Sequence, residues 1–221
     1  DFVLDLYDEG LRQKWYANDL MPIGQWTIPR DYDGGEWQQV PVPSCWNMLK
    51  PEWFYFEGSG WYGRTLTIPP AKAGERILLA VGAAQYEARV FLNGHFVGAH
   101  RGGSTPFTLD LTGAVIAGDN RLLVQVENRR ESHRVPMLHT DWFNYGGLYR
   151  EVALVRVPEV HIRDFSVALA PDHGGGRIRA EIRLSEAVDG VAELDIPELG
   201  GRRVFAVSAG RGEIAFEAEP E

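Results

Sequence analysis

Residues 86–99 read YEARVFLNGHFVGA, and this stretch decides the fold class. Apolar side chains stand at every second position from Tyr86 to Leu92, the period of a strand with one buried face. Asn93-Gly94 follows, and both residues tolerate the positive φ angles of a tight type I′ turn. His95–Ala99 can then supply the returning strand. The stretch therefore predicts an antiparallel β-hairpin.

The sequence on either side predicts further strands. Short apolar runs punctuated by Pro and Gly favour strands at Arg64–Ile68, Arg76–Val81, Arg121–Val126 and Val152–Val157. Strands at such short spacing are typical of a β-sandwich or jelly roll. The exception is a short predicted helix near Asp8–Ala17, where Leu11 and Trp15 stand one turn apart.

Composition changes abruptly near Pro158. All seven Trp and all eight Tyr precede it, whereas residues 158–221 carry seven Arg, no Lys and thirteen acidic residues. This second part therefore holds a net charge of −6 out of −9 for the whole chain. Such a shift predicts a boundary at Val157-Pro158-Glu159, with one domain over residues 1–157 and another over 158–221.

The second part also has the pattern of β-strands. Apolar residues from Ile178 to Leu184 alternate with charged ones. Shorter runs occur at Val160–Leu169, Ala192–Ile196, Val204–Val207 and Glu213–Phe216, which makes about five strands in 64 residues. An immunoglobulin-like sandwich has about seven strands in roughly 100 residues. We therefore expect an immunoglobulin-like β-sandwich that is incomplete or unusually small.

Charge and composition exclude several classes of protein. A net charge of −9 and a pI of about 5.2 argue against binding a nucleic-acid backbone, which needs a clustered basic surface. No apolar run approaches 18 residues, so the sequence predicts no membrane span. Asp1–Asp5 lacks the layout of a signal peptide, and the compartment stays open because a signal can be removed.

The sequence contains no recognisable catalytic or cofactor motif. It has no Gly-x-Ser-x-Gly elbow, phosphate loop or His-Glu-x-x-His, and we predict neither a cofactor nor a metal. Cys45 is the single cysteine, and we interpret it as a small buried hydrophobe rather than a nucleophile. The pairs His95/His100 and His133/His139 lack neighbours at ligand spacing, so surface or loop histidines are the better interpretation.

Two aromatic-rich segments, residues 52–62 and 141–145, point towards carbohydrate. Sugar sites combine aromatic platforms with carboxylates and amides. The same rings are equally suited to the core of a sandwich. Asp141 differs from its neighbours, because an acid inside an apolar cluster is costly unless it is paired or hydrogen-bonded. It therefore has a local partner or faces a polar ligand, and the sequence leaves both open.

Four segments carry specific sequence motifs in addition to the alternation typical of strands. They are VPSCWN at 42–47, EGSGWY at 57–62, NGHFVGAHRGGSTPF at 93–107 and DWFNYGGLYREV at 141–152. In this order they resemble the N-terminal part of glycoside hydrolase family 2, which includes β-galactosidases, β-glucuronidases and β-mannosidases. The resemblance spans residues 40–157 and is nearest to glucuronidase-type members. Residues 158–221 are placed by position.

The resemblance implies a galactose-binding-like jelly-roll sugar-binding domain, then an immunoglobulin-like sandwich. In the family both catalytic carboxylates lie on a (β/α)₈ barrel, which needs about 250 residues. We therefore expect this chain to hold no catalytic residue and to be inactive alone. The resemblance also implies that Asp141 touches a hydroxyl of the substrate sugar. Trp142, Asn144 and Trp53 are further candidates for sugar contact, and Asn144 is also a candidate for shaping the loop.

The leading hypothesis is the non-catalytic N-terminal region of a family 2 glycosidase, with carbohydrate and the absent barrel as partners. One alternative is a free-standing carbohydrate-binding module with an exposed aromatic platform, such as Trp53 or Trp142. The other is a structural or assembly module, so a second copy of the chain is a candidate partner. Nucleic acid and membrane are not expected as partners.

Overall fold

The computed structural model describes residues 1–16, 22–23, 26–27, 37–170, 176–199 and 201–217. In it the chain forms two compact units, Asp1–Arg156 and Val157–Glu221. Both units are built from β-strands, so the predicted all-β class is confirmed.

The strands of the first unit are short and closely spaced. Their bounds are β1 Phe2–Asp5, β2 Pro22–Ile23, β3 Trp26–Thr27, β4 Ser59–Thr67, β5 Glu75–Val81, β6 Glu87–Leu92, β7 His95–Arg101, β8 Phe107–Asp110, β9 Asp119–Glu127 and β10 Val152–Pro158. They include all four strands predicted outside the hairpin. The structure adds β1, β2, β3 and β8, which the sequence pattern did not predict.

Helices are few and short in the described residues. Helix α1 covers Glu9–Arg12, and three 3-10 helices cover Trp46–Met48, Pro51–Trp53 and, in the second unit, Pro197–Leu199. The prediction of a helix over Asp8–Ala17 was too long, because Lys14 takes a φ of 55° that ends the helix; Ala17 itself lies outside the described residues. Within these ranges no helix has the length and apolar character needed to cross a membrane.

Two sheets form the body of the first unit. The larger has the order β1-β4-β9-β6-β7, the smaller has the order β10-β5-β8, and β2 and β3 pair separately. Side chains from both sheets meet in one apolar cluster, with Val90 and Val124 from the larger sheet and Leu79 from the smaller. Because each sheet buries its apolar face against the other, the unit is a β-sandwich.

The predicted hairpin is present, and its first strand, β6, is buried on both faces, whereas β7 remains partly exposed. Strands β6 and β7 pair antiparallel around Asn93 and Gly94, whose φ angles of 52° and 84° are those of a type I′ turn. We expected one face of β6 to meet solvent. Instead Phe91 joins a second cluster with Trp61, and the ring of Tyr16 stacks on it at 4.2 Å between centroids. The N-terminal segment thus covers the face of β6 that the sequence pattern predicted to be exposed to solvent.

The second unit is one antiparallel sheet in the part of the chain that the structure describes. Its strands are β11 Ile162–Leu169, β12 Arg177–Leu184, β13 Gly190–Ile196, β14 Gly201–Ser208 and β15 Arg211–Glu217, in the order β11-β12-β15-β14-β13. Register places Leu169, Ile178 and Phe216 side by side on an apolar face, where Leu169 is 69% exposed. Five strands were predicted; the assignment to an immunoglobulin-like sandwich stays a prediction.

Phe2 joins the first strand to the aromatic core of the sandwich. Its ring is fully buried and lies 4.7 Å from the ring of Tyr62 and 5.7 Å from that of Trp46, between centroids. Its backbone also pairs with Gln38 on one side and Tyr62 on the other. Phe2 therefore joins the N-terminus to β4 and to the segment at Gln38, and packs against Trp46.

Phe2→Ala should lower the free energy of unfolding by about 3–5 kcal/mol, the usual loss for a truncated core phenylalanine. Urea unfolding followed by tryptophan fluorescence would measure it. Tyr7→Ala is the matched control, since Tyr7 is 81% exposed and its loss should change little. Equal stabilities for the two variants would contradict the central place of Phe2.

Candidate functional site

Three segments meet at one end of the first unit: residues 46–58, residues 128–130 and residues 140–147. None of the three is held in a sheet along its length. Their buried peptide groups therefore need other partners, because an unpaired buried N–H or C=O is costly. Some pair backbone to backbone across turns and between the segments. Three buried asparagines, Asn47, Asn128 and Asn144, supply partners for several others.

Asn47 ties the first segment to the third. Its Nδ2 lies 2.9–3.1 Å from the carbonyl oxygens of Trp53, Phe54 and Phe56. Its Oδ1 accepts a hydrogen bond of 2.8 Å from the backbone N–H of Gly146. One amide thus shapes the loop after the first 3-10 helix and fixes the loop that follows Asp141.

Asn128 and Asn144 bind each other's backbone. Asn128 donates to the carbonyl of Asn144 at 3.2 Å, Asn144 donates back to the carbonyl of Asn128, and Gln85 donates to Oδ1 of Asn144 at 3.4 Å. The Oδ1 of Asn128 also accepts from the N–H of Gly58 at 2.8 Å. Together the three asparagines form a polar frame beneath the site.

The glycine pair allows the third segment to pack closely on this frame. A Cβ on Gly146 would lie 2.1 Å from a ring carbon of the buried Trp46. Gly147 has a φ of 130°, and a Cβ there would lie 2.7 Å from the hydroxyl of Tyr62. Burial raises the pKa of Tyr62, so this hydroxyl stays protonated while it accepts the N–H of Leu148 at 3.3 Å. The absence of side chains at these two positions therefore allows the loop to pack closely against Trp46 and Tyr62.

A cleft of about 200 Å³ opens above the frame. It is lined by Asn47, Phe54, Tyr55, Glu57, Arg130, Thr140, Asp141, Trp142, Phe143 and Asn144. Pockets that enclose a drug-sized ligand measure roughly 300–1,000 Å³. The cleft is therefore smaller than such pockets, and with Tyr55 and Trp142 exposed at its rim it is open to solvent.

Asp141 lies at this cleft with an exposed carboxylate. We expected an acid inside an apolar cluster, and that premise was wrong, because the side chain reaches solvent. Within the described residues the carboxylate has no hydrogen bond and no ion pair. The sequence left two alternatives open for Asp141, a local partner or a polar ligand. No local partner is found within the described residues.

The other candidates divide between the rim and the frame. Trp142 is 62% exposed and lines the cleft. Asn144 also reaches the cleft, but its buried amide is engaged by Asn128 and Gln85, which corresponds to the loop-shaping alternative. Trp53 does not line the cleft; its ring packs on Phe2 and carries the ammonium of Lys50 4.7 Å above it. Sugar contact by each of them stays a prediction.

The aromatic rings predicted as either platform or core include inner rings that pack together and outer rings that are exposed. Phe54 and Phe143 pack together at 4.7 Å between centroids. Tyr55 packs edge-on against Phe54 at 4.8 Å, yet it is 84% exposed. The inner rings therefore support the outer ones, which present apolar surface at the rim.

Glu57 and Arg130 are charged residues of the cleft that the sequence analysis did not single out as site residues. Oε1 of Glu57 lies 2.9 Å from Nε of Arg130, and Nη1 of Arg130 donates to the carbonyl of Thr140 at 2.7 Å. Glu57 begins the EGSGWY segment, whereas Arg130 has no signal beyond its place just after a predicted strand. Their pairing depends on a contact between residues 73 positions apart.

Cys45 is half-buried, which corrects the expectation of a fully buried residue. Burial raises the pKa of its thiol, with backbone hydrogen bonds acting in the opposite direction. A thiol is a nucleophile only as thiolate, so this environment does not activate Cys45. No group of three His, Cys, Asp or Glu residues placed to hold a metal ion is found in the described part of the chain.

A two-sheet sandwich with a carboxylate cleft rimmed by aromatic rings defines an all-β domain of the sugar-binding type. The family model for the glycosyl hydrolases family 2 sugar binding domain matches residues 1–158. The chain therefore belongs to glycosyl hydrolase family 2, and the resemblance found in its sequence motifs is confirmed.

Individual relatives agree with this assignment. A β-glucuronidase of Paenibacillus borealis is 26% identical over 238 residues, covering 98% of this chain and 37% of that protein. A β-glucuronidase of Bacteroides fragilis is 31% identical over 203 residues, covering 85% and 29%. The solved β-glucuronidase of an uncultured Clostridium sp. has a TM-score of 0.70 and 27% identity, covering 99% and 38%. The chain spans less than two-fifths of the length of these relatives.

Gly146→Ala should lower the free energy of unfolding by about 1–3 kcal/mol or more, because the new methyl group meets the fully buried Trp46. Thermal unfolding would measure the change. Gly113→Ala is the control: nothing lies within 4 Å of a Cβ there, so the shift should stay within about 0.5 kcal/mol. An unchanged free energy of unfolding in Gly146→Ala would contradict the close packing of this loop on Trp46.

Proposed function

We propose that this chain is a non-catalytic region of a family 2 glycosidase that lends Asp141 to the sugar subsite of a separate catalytic domain. The observation that carries the proposal is the carboxylate of Asp141, which has no partner within the described residues and lies at the edge of the cleft. The polar side chains of Asn47, Glu57, Arg130 and Asn144 in the same cleft are all engaged by the protein. The substrate class is a β-linked hexoside or hexuronide, inferred from relatives named β-glucuronidase.

A free carboxylate is suited to this task. It can accept two or more hydrogen bonds from sugar hydroxyls, and charge-assisted bonds of this kind are stronger than neutral ones. The exposed Trp142 beside it offers a flat apolar face, which complements the C–H face of a pyranose ring. The cleft thus supplies the two kinds of contact that sugars need.

We propose that the cleft formed by the described residues does not cleave a glycoside by itself. Retaining hydrolysis needs two carboxyl groups about 5–5.5 Å apart, one as nucleophile and one as acid and base. Glu57 and Asp141 are the acidic residues of the cleft, and Glu57 is paired with Arg130. We therefore propose that hydrolysis is carried out on a catalytic barrel, which supplies both carboxyl groups.

A second candidate is a free-standing carbohydrate-binding module. The observation in its favour is the exposure of Trp142 and Tyr55, 62% and 84%, at the rim of the cleft. Against it stands the small volume of the cleft, about 200 Å³, which leaves most of a sugar in water. A structural or assembly role, with a second copy as partner, remains the third hypothesis.

Asp141→Asn should lower kcat/KM about 10- to 100-fold in the glycosidase that contains this region, since a charged hydrogen bond contributes roughly 1.5–3 kcal/mol. Thermal stability should not change, because the carboxylate has no partner among the described residues. Asp164→Asn is the control, an exposed acid on β11. Unchanged kinetics for Asp141→Asn would remove this residue from the subsite.

The 221-residue chain alone should release no chromophore from aryl β-glucuronide, β-galactoside or β-mannoside substrates. Titration calorimetry with the parent monosaccharides should give no measurable heat below millimolar concentration. Turnover that co-purifies with the chain would overturn the non-catalytic assignment. Micromolar sugar binding that is lost in Trp142→Ala would favour the binding-module hypothesis instead.

A further inference from the structure

We propose that Arg130 is a positioning residue for Asp141: its guanidinium holds the peptide carbonyl immediately before Asp141 and so sets where the carboxylate stands over the cleft. The inference rests on the proposed function, because it concerns the same carboxylate. Neither the sequence motifs nor the family match points to Arg130.

Asp141 depends on its backbone for its position. The side chain has no partner in the described residues, so nothing beyond the main chain directs it. The preceding residues form no helix or strand; Thr140 only closes a turn onto the carbonyl of Met137, at 3.3 Å from its N–H and 2.8 Å from its hydroxyl. A loop of this kind has many accessible conformations unless an external contact selects one.

Arg130 provides that external contact. Its Nη1 donates a 2.7 Å hydrogen bond to the carbonyl of Thr140, the peptide group that leads into Asp141. Across the described residues, this is the one hydrogen bond that joins residues 136–142 to the rest of the protein. Removing it therefore frees the backbone on the N-terminal side of Asp141, while Asn144 still holds the C-terminal side.

Arg130 is itself held in place by Glu57. Oε1 of Glu57 lies 2.9 Å from Nε of Arg130, a close ion pair that is poorly aligned for a hydrogen bond. Oε2 of the same carboxylate accepts the backbone N–H of Arg130 at 3.3 Å. Because Asn128 fixes the adjacent Gly58, the Glu57–Arg130 pair extends the polar frame up to the Asp141 loop.

The chemistry of arginine fits this role. Its planar guanidinium carries five N–H donors in a fixed fork, so it can face a carboxylate and a carbonyl at once. Lysine carries a single compact ammonium group, so it would satisfy the Glu57 carboxylate and the Thr140 carbonyl together less well. The pair is partly exposed, at 23% for Arg130 and 33% for Glu57, so its loss should leave the sandwich folded.

The neighbouring Arg129 provides a matched control. It also follows β9 and also forms ion pairs, with Asp8 and, at 3.8 Å, with Glu127. It does not line the cleft, and within the described residues its side chain has no hydrogen bond or ion pair with residues 136–142. Arg129→Met thus removes a partly exposed, ion-paired guanidinium from the adjacent position without touching Thr140.

The first test measures order in the loop of the 221-residue chain itself. In Arg130→Met, heteronuclear NOE values at the amides of Thr140–Trp142 should fall well below those of the wild-type chain. Arg130→Lys should recover part of the loss, and Arg129→Met should match wild type. Unchanged NOE values in Arg130→Met would overturn the proposal.

The second test is a double-mutant cycle in the glycosidase that contains this region. Arg130→Met should lower kcat/KM roughly 10- to 100-fold, because a displacement of about 1 Å can have that effect. Added to Asp141→Asn, it should cause no further loss, since a positioning residue acts through the group it positions. Independent, multiplying losses would overturn the proposal.

The two tests separate this inference from the proposed function. If Asp141→Asn leaves kinetics unchanged, the sugar role fails, and the loop measurement alone then decides whether Arg130 positions Asp141. If Asp141→Asn is impaired while Arg130→Met is fully active, the sugar role stands and the positioning role is overturned.

Discussion

The site end of this protein depends on hydrogen bonds from three buried asparagine side chains. Where loops pack on one another instead of pairing in a sheet, their buried peptide groups lack ladder partners, and each unpaired group would cost free energy. An asparagine amide donates and accepts at once, so one side chain can join two segments. Asn47 bridges Phe56 to Gly146, and Asn128 bridges Gly58 to Asn144. The loops around the cleft therefore keep their relation to one another without regular secondary structure.

This arrangement separates support from recognition. The amides of Asn47 and Asn144 and the carboxylate of Glu57 all have protein partners, even though these residues reach the cleft. Asp141 is the acid there without one in the described residues. A residue whose hydrogen-bonding capacity is unused by the fold can be exchanged with little effect on stability, whereas the frame beneath it cannot. Such a division is what a binding residue on a rigid scaffold requires.

Much of the fold could be predicted from local sequence, because strands and turns reflect local physics. The alternation from Tyr86 to Leu92 and the Asn93-Gly94 turn fixed the hairpin. The alternation could not reveal that the other face of β6 is buried as well. That face is covered at Phe91 by the ring of Tyr16, a residue far away along the chain. The same limit explains Arg130 and the exposure of Asp141: both depend on which loops meet, and a single sequence does not encode that meeting in any short pattern.

Because the cleft is open to solvent, a hydrogen bond from a sugar hydroxyl to Asp141 can add only little to the free energy of binding by itself. Water competes for an exposed carboxylate, so a hydrogen bond from a sugar hydroxyl replaces one from water with little net gain. The same bond becomes stronger when a second surface excludes water and lowers the local dielectric constant. A cleft of about 200 Å³ cannot exclude water from a whole sugar ring. If Asp141 recognises a sugar, as proposed, its effect must therefore grow when another surface closes over the substrate and excludes water.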